Sequence, residues 1–134
     1  MCGIIGISSN KSVSANIINS LKKLEYRGYD SAGIATLSDG FINEVKSEGR
    51  VENLEKNFDL KILSGNIGIG HVRWATHGVP NSINAHPHSS ENVSVVHNGI
   101  IENSTLLKKY LINQGHKFKS CLLYTSPSPR DNKA

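Results

Sequence analysis

The stretch IATLSDGFINEVKS (34–47) limits the fold more than any other part of the chain. Two strand-forming runs, IATL (34–37) and FINEVKS (41–47), flank SDG, and an Asp-Gly pair in that setting signals a hairpin. A hairpin is an antiparallel pair, so strands elsewhere have a ready partner. GIIGIS (3–8) reads as a short buried strand bounded by Gly and Ser. NIGIGHVRW (66–74) reads as a strand running into a loop, and VSVVHNG (93–99) as a strand ending in a turn. Val13, Ile17, Ile18, Leu21 and Leu24 recur at helical spacing over 13–25, with Ser12 as a predicted N-cap. VENLEKNF (51–58) has the pattern of a short amphipathic helix. NSTLLKKYLINQG (103–115) predicts a helix capped by Asn103 and ended by Gly115, and HKFK (116–119) opens a further strand. EYRGYDSAG (25–33) reads as a turn-rich loop. RWATHGVPNSINAHPH (73–88) is long, polar and aperiodic, the kind of loop that often carries function. No internal repeat is visible.

A chain of 134 residues suggests one domain or part of one, and 37% apolar residues support a modest core. The net charge of +4 is mild and its basic residues are scattered, without the basic stripe and interleaved aromatics of a nucleic-acid binder. No apolar run approaches the ~20 residues that span a bilayer. Only Met1 precedes Cys2, which leaves no room for a signal peptide, so the expected compartment is the cytoplasm. Two cysteines there are expected as free thiols. Six histidines, among them HPH (86–88), invite a metal site, yet no HExxH or paired CxxC is present and no metal is expected.

Cys2 is chemically pointed. Removal of Met1 would give it a free α-amine, whose ordinary pKa of about 8 suits a general base near neutrality. One residue then supplies both nucleophile and base, with Gly3 giving room for a substrate. Read from MCG alone, a buried structural cysteine in second place stays open.

MCGIIGI, LEYRGYDSAGIA, GIGHVRWATHG, NAHPH and VVHNGIIEN occur in that order. Together they resemble the glutaminase domain of the glutamine–fructose-6-phosphate aminotransferases (isomerizing), a family of class II glutamine amidotransferases with an N-terminal nucleophile. The resemblance runs over 1–119. It implies an α+β fold: part of a four-layer α-β-β-α sandwich of the Ntn-hydrolase type with mainly antiparallel sheets. It makes Cys2 the nucleophile on the glutamine carboxamide, and Asn98 and Gly99 the oxyanion-hole donors. Arg73 would grip the substrate α-carboxylate, with Trp74, Thr76 and His77 completing a loop that closes over glutamine. Arg27 would help to orient the surroundings of the nucleophile. Each residue also has a plainer reading. Arg73 could be a surface ion-pair partner, Trp74 core, His77 a loop-shaping residue, and Asn98-Gly99 a turn dipeptide. Tyr26, Tyr29 and Asp30 read as packing and turn residues.

The implied activity is ammonia release from L-glutamine for glucosamine 6-phosphate synthesis in the hexosamine pathway. No cofactor is implied, and the full-length enzyme is expected to be a homo-oligomer that neither binds nucleic acid nor enters a membrane. Two alternatives stay open: a class II amidotransferase with another acceptor, as in the amidophosphoribosyltransferases, and a non-catalytic gene fragment. The family continues after FKS (118–120) with an acidic, Thr-rich segment whose aspartate binds the substrate α-amine. Here CLLYTSPSPRD follows, which looks like translated sequencing-adapter read-through. Residues 120–134 are therefore expected to be a non-matching, disordered tail, with Cys121 and Asp131 outside the resemblance. A fructose 6-phosphate-binding isomerase domain lies beyond the match. The 134-residue polypeptide alone is expected to be unstable and to lack synthase activity.

Overall fold

The computed structural model describes residues 2–74, 81–90, 92–99 and 101–117. The hairpin forms as the Asp-Gly pair predicts. Strand β2 (Ser31–Ser38) pairs antiparallel with β3 (Phe41–Glu48). Asp39 and Gly40 between them have φ of 51° and 79°, the left-handed pair whose twist matches two antiparallel strands. Strand β2 begins within the segment expected to be loop. Only Glu25–Arg27 of that segment curls, as a 3-10 turn, before the chain extends at Ser31.

Strands β1 (Gly3–Ser8) and β4 (Ile67–Arg73) complete a four-stranded antiparallel sheet in the order β1-β4-β2-β3. Strand β1 is thus an edge. It was expected to be buried, but its residues alternate between covered and open because only one face meets a helix. That helix is α1 (Ser14–Leu24), which buries Ile17, Ile18 and Leu21. Ile17 fits because β4 is bare on this face: a Cβ on Gly68 or Gly70 would lie 2.6 or 2.7 Å from its side chain. The predicted Ser12 cap does not form. Val13 is the N-cap residue, without a side-chain cap bond, and its own N–H donates to Gly65 O.

Helix α2 (Glu52–Asn57) adds Leu54 to the core, and Val51 and Leu63 close it. Glu25 ties α2 to the 3-10 turn, accepting from the Val51 N–H at 3.0 Å and pairing with Arg50 at 2.9 Å. Helix α3 (Ser104–Asn113) also forms as expected and ends at Gly115 with φ 92°. Asn103 is its N-cap residue but makes no side-chain cap bond.

The second face of the sheet is only partly covered. Residues 81–90 and 92–99 cross it near His71 and Gly33, and carry a two-stranded ribbon, β5 (His88–Ser89) with β6 (Ser94–Val95). The strand expected over 93–99 is therefore shorter than its sequence suggests. Ser89 Oγ donates to Glu44 of β3 and meets Ser94 Oγ at 2.7 Å, which fastens the ribbon to the sheet. Beyond the ribbon, Ile4, Leu37 and Ile67 stay 40–49% exposed. No strand includes His116 or Lys117. The rest of the predicted strand, the 119/120 boundary and the tail lie outside the described residues.

Gly33 sets how closely residues 81–90 approach. A Cβ there would run into the His86 carbonyl oxygen, which is backbone and cannot step aside. Gly33→Ala in the full-length protein is expected to destabilise by about 1–3 kcal/mol. Gly6→Ala is the control, because its Cβ would meet nothing closer than 3.9 Å. Equal thermal melts for the two variants would contradict this reading.

Candidate active site around Cys2

Cys2 sits one residue before β1, where the β1–β4 register (Gly3 opposite Val72) runs on toward Arg73. Its sulfur therefore arrives at the C-terminal end of β4. The Trp74 N–H donates to Cys2 Sγ at 3.3 Å, and Sγ lies 3.8 Å from the Trp74 carbonyl oxygen. Among the described residues Cys2 is the free cysteine, and it is partly open to solvent. Arg27 Nε donates to the Cys2 carbonyl at 3.0 Å, which pins the backbone that carries the sulfur.

Gly28 makes this junction possible. A Cβ there would stand 2.5 Å from the Arg73 carbonyl carbon and 2.6 Å from the Trp74 nitrogen. The bare Gly28 backbone thus lies against the peptide that contacts the sulfur. The Asp30 N–H also donates to Arg73 O at 3.2 Å. The sequence YRGYD brings two functions to one place: Arg27 for the Cys2 backbone, Gly28 for the Trp74 peptide.

Arg73 is 3% exposed, which overturns the reading of a surface ion-pair partner. Trp74 is 50% exposed, so it is not core. Its contribution at the sulfur is its backbone, where the sequence draws attention to its ring. Thr76 and His77 lie outside the described residues.

Asn98 and Gly99 follow the ribbon. Both are exposed, and Gly99 has φ 148°, a conformation that favours glycine. Asn98 Oδ1 lies 2.8 Å from His71 Nε2. His71 faces the same side of β4 as Arg73, by strand alternation. The sequence assigned His71 no role of its own. Its two-residue spacing from Arg73 on a strand was the signal that could have marked it.

The histidines form a packed group. His71 stacks on His86 with ring centroids 4.2 Å apart and planes at 21°, and His86 meets His88 edge-on at 4.4 Å. Among the described residues no set of three His, Cys, Asp or Glu side chains is placed to hold a metal ion. Burial lowers all three imidazoles, and the Arg73 charge opposes protonation of each: His71 falls to about 4, His88 to about 3, and His86 further. A proton added at His71 Nδ1 or His88 Nε2 would reach a buried atom without a partner among the described residues. His86 Nδ1 accepts from the His97 N–H at 3.4 Å, so protonating it breaks that contact.

The unfolded chain takes up these protons near 6.5 while the folded chain refuses them. The stabilisation is therefore full above pH 6.5 and is lost as pH falls through the window down to the folded values near 4 and 3. Each group contributes a slope of about 1.4 kcal/mol per pH unit inside its window. Urea midpoints of the full-length protein are expected to drop between pH 7 and pH 5, and a flat profile would count against neutral burial.

No protein-family model matches the chain. It is 56% identical over 122 residues to the glutamine–fructose-6-phosphate aminotransferase (isomerizing) of Clostridium acetobutylicum, covering 90% of this chain and 20% of the relative. It is 53% identical over 120 residues to the enzyme of that name from Mesorhizobium japonicum, with the same two coverages. This chain is homologous to the N-terminal segment of these aminotransferases. It spans 20% of the length of these relatives.

Among solved structures, the glutamine phosphoribosylpyrophosphate amidotransferase from B. subtilis, complexed with ADP and GMP, is similar with a TM-score of 0.77 and 28% identity. That match covers 98% of this chain and 28% of the other. A structure described as the allosteric regulatory enzyme of purine biosynthesis is similar with a TM-score of 0.78 and 30% identity, covering 90% and 27%. The α+β fold with antiparallel sheets is thus that of the N-terminal-nucleophile amidotransferases. The chain places Cys2, Arg27, Arg73 and the Trp74 backbone at one sheet end, and Asn98 on the segment that crosses the sheet face.

Proposed function

We propose that this chain is the glutamine-hydrolysing segment of a glutamine–fructose-6-phosphate aminotransferase, with Cys2 as nucleophile. The observation that carries the reading is the sulfur of the second residue, held 3.3 Å from a backbone N–H while Arg27 anchors its carbonyl. A fixed N–H dipole at the sulfur stabilises negative charge there. A purely structural cysteine needs neither contact.

In this mechanism Met1 is removed and the Cys2 α-amine takes the thiol proton. The sulfur attacks the glutamine Cδ, and the C=O π pair moves to oxygen. Asn98 Nδ2 and the Gly99 N–H stabilise that oxyanion, each worth roughly 3–4 kcal/mol by comparison with other acyl-transfer sites. Collapse breaks the C–N bond, and the α-ammonium gives its proton to the leaving nitrogen, so ammonia departs and a γ-glutamyl thioester remains. Water cleaves the thioester to glutamate and restores the thiol. Arg73 supplies a planar guanidinium suited to a bidentate grip on the substrate α-carboxylate. Trp74, Thr76 and His77 belong to the loop that covers glutamine and excludes bulk water. Fructose 6-phosphate is the acceptor, bound by the part of the full-length, homo-oligomeric enzyme beyond this chain. The free thiol suits a reducing cytoplasm.

The likeness to a phosphoribosylpyrophosphate amidotransferase keeps a second acceptor in play, at 28% identity against 53–56% for the aminotransferases. The test is a pair of assays on the full-length protein with glutamine as donor. Amination of fructose 6-phosphate supports the main reading. Amination of phosphoribosylpyrophosphate instead transfers the function to the second; glutamine consumption that aminates neither removes both acceptors, and no glutamine consumption overturns the hydrolysis itself.

A further inference from the structure

A carboxamide has two unlike ends: its oxygen only accepts and its nitrogen only donates. An oxyanion needs the nitrogen end of Asn98, and rotation about the last side-chain bond exchanges the two. His71 selects between them. Its Nε2 lies 2.8 Å from Asn98 Oδ1. The carboxamide oxygen carries no hydrogen, so the ring nitrogen is the donor and the neutral ring has a bare Nδ1. The surroundings of Nδ1 fit this tautomer. That atom is buried and lacks a partner among the described residues. An unused lone pair is tolerated there better than an orphaned N–H. With the amide turned over, Asn98 Nδ2 would spend a hydrogen on His71 Nε2, and Nδ1 would carry a buried, unpaired proton. The ring cannot easily adjust, being 1% exposed on β4 and stacked on His86.

We infer that His71 is a positioning residue for glutamine hydrolysis: its Nε2–H holds the Asn98 oxygen and so leaves the Asn98 nitrogen free for the oxyanion. The inference rests on the amidotransferase reading above. Burial keeps the ring neutral, so the arrangement holds across the physiological range. His86 supports it from behind by fixing the plane of the His71 ring.

The test uses the full-length protein. His71→Leu keeps bulk on β4 and removes the donor. Its kcat for glutamine hydrolysis is expected to fall roughly 10–100-fold, less than the ~10²–10³ that loss of an oxyanion donor costs. KM should stay within about threefold, since the lost contact matters only in the transition state. His71→Gln, whose amide N–H2 reaches the same region, should recover most of kcat. In an Asn98→Ala background His71→Leu should cost nothing more, because no amide is left to orient. An undiminished loss in that background, or a loss confined to KM, overturns the inference. The tautomer is read separately, without turnover, by solid-state NMR of the protein labelled with 15N-histidine and assigned with His71→Gln. A protonated Nε2 at pH 7 supports the inference, and a protonated Nδ1 overturns it even in an active enzyme. A protonated Nε2 in a protein that hydrolyses no glutamine overturns the amidotransferase reading instead, and the catalytic half of this inference with it.

Discussion

Cys2→Ala in the full-length protein abolishes ammonia release from glutamine, by roughly 10⁴-fold or more, the scale on which loss of a covalent nucleophile is felt. The size follows from the absence of a substitute. Among the described residues Cys2 is the free cysteine, and its neighbours at the end of β4 are an arginine and a backbone peptide, neither of them a nucleophile. The variant should still fold. Arg27 bonds to the Cys2 carbonyl and not to its side chain, so alanine keeps that contact. The Trp74 N–H loses a sulfur acceptor in a partly open position, where water can replace it. The thermal melt is expected to shift by no more than about 1 kcal/mol equivalent. Ammonia release from glutamine and a melting curve measure the two sides. Residual turnover above a hundredth of wild type would show that some other group attacks the amide.

The second large effect is at Asn98. Asn98→Ala is expected to lower kcat by roughly 10²–10³ with KM little changed, because the oxyanion exists only after attack. It should also cost about 1–3 kcal/mol of stability, since His71 Nε2–H then loses its acceptor in a mostly buried place. Asn98→Asp separates the two effects. A carboxylate still accepts from His71 but turns a second anionic oxygen toward the oxyanion. Activity should fall at least as far as in Asn98→Ala while the melt stays closer to wild type. Steady-state kinetics and melts of the pair decide it, and retained activity in Asn98→Asp would remove Asn98 from the oxyanion site.

Much of this architecture follows from local chemistry. Asp39-Gly40 dictates a tight hairpin because both residues tolerate positive φ. The apolar spacing of Ile17, Ile18 and Leu21 dictates a helix with one buried face. Cys2 was different: MCG alone left a nucleophile and a buried structural cysteine both open, and only the ordered motifs of the resemblance pointed to the nucleophile. Fine local detail was less legible. Ser12 and Asn103 are good capping types, yet neither makes the cap bond. The tie from Val13 N–H to Gly65 O fixes where α1 starts, and no local propensity encodes it.

The sequence by itself determined most of the element types and the hairpin, since these depend on neighbours along the chain. Tertiary structure alone decided that β4 lies between β1 and β2, which brings Cys2 against the Trp74 peptide, 72 positions away. It also decided that Gly28 clears the space for that peptide and that His71 meets Asn98, 27 positions away. It packed His71, His86 and His88 into one buried neutral group, a contact the HPH motif does not show. Strand pairing between distant segments sets these contacts, and their strength comes from burial and distance in space, which a residue's chain neighbours do not carry.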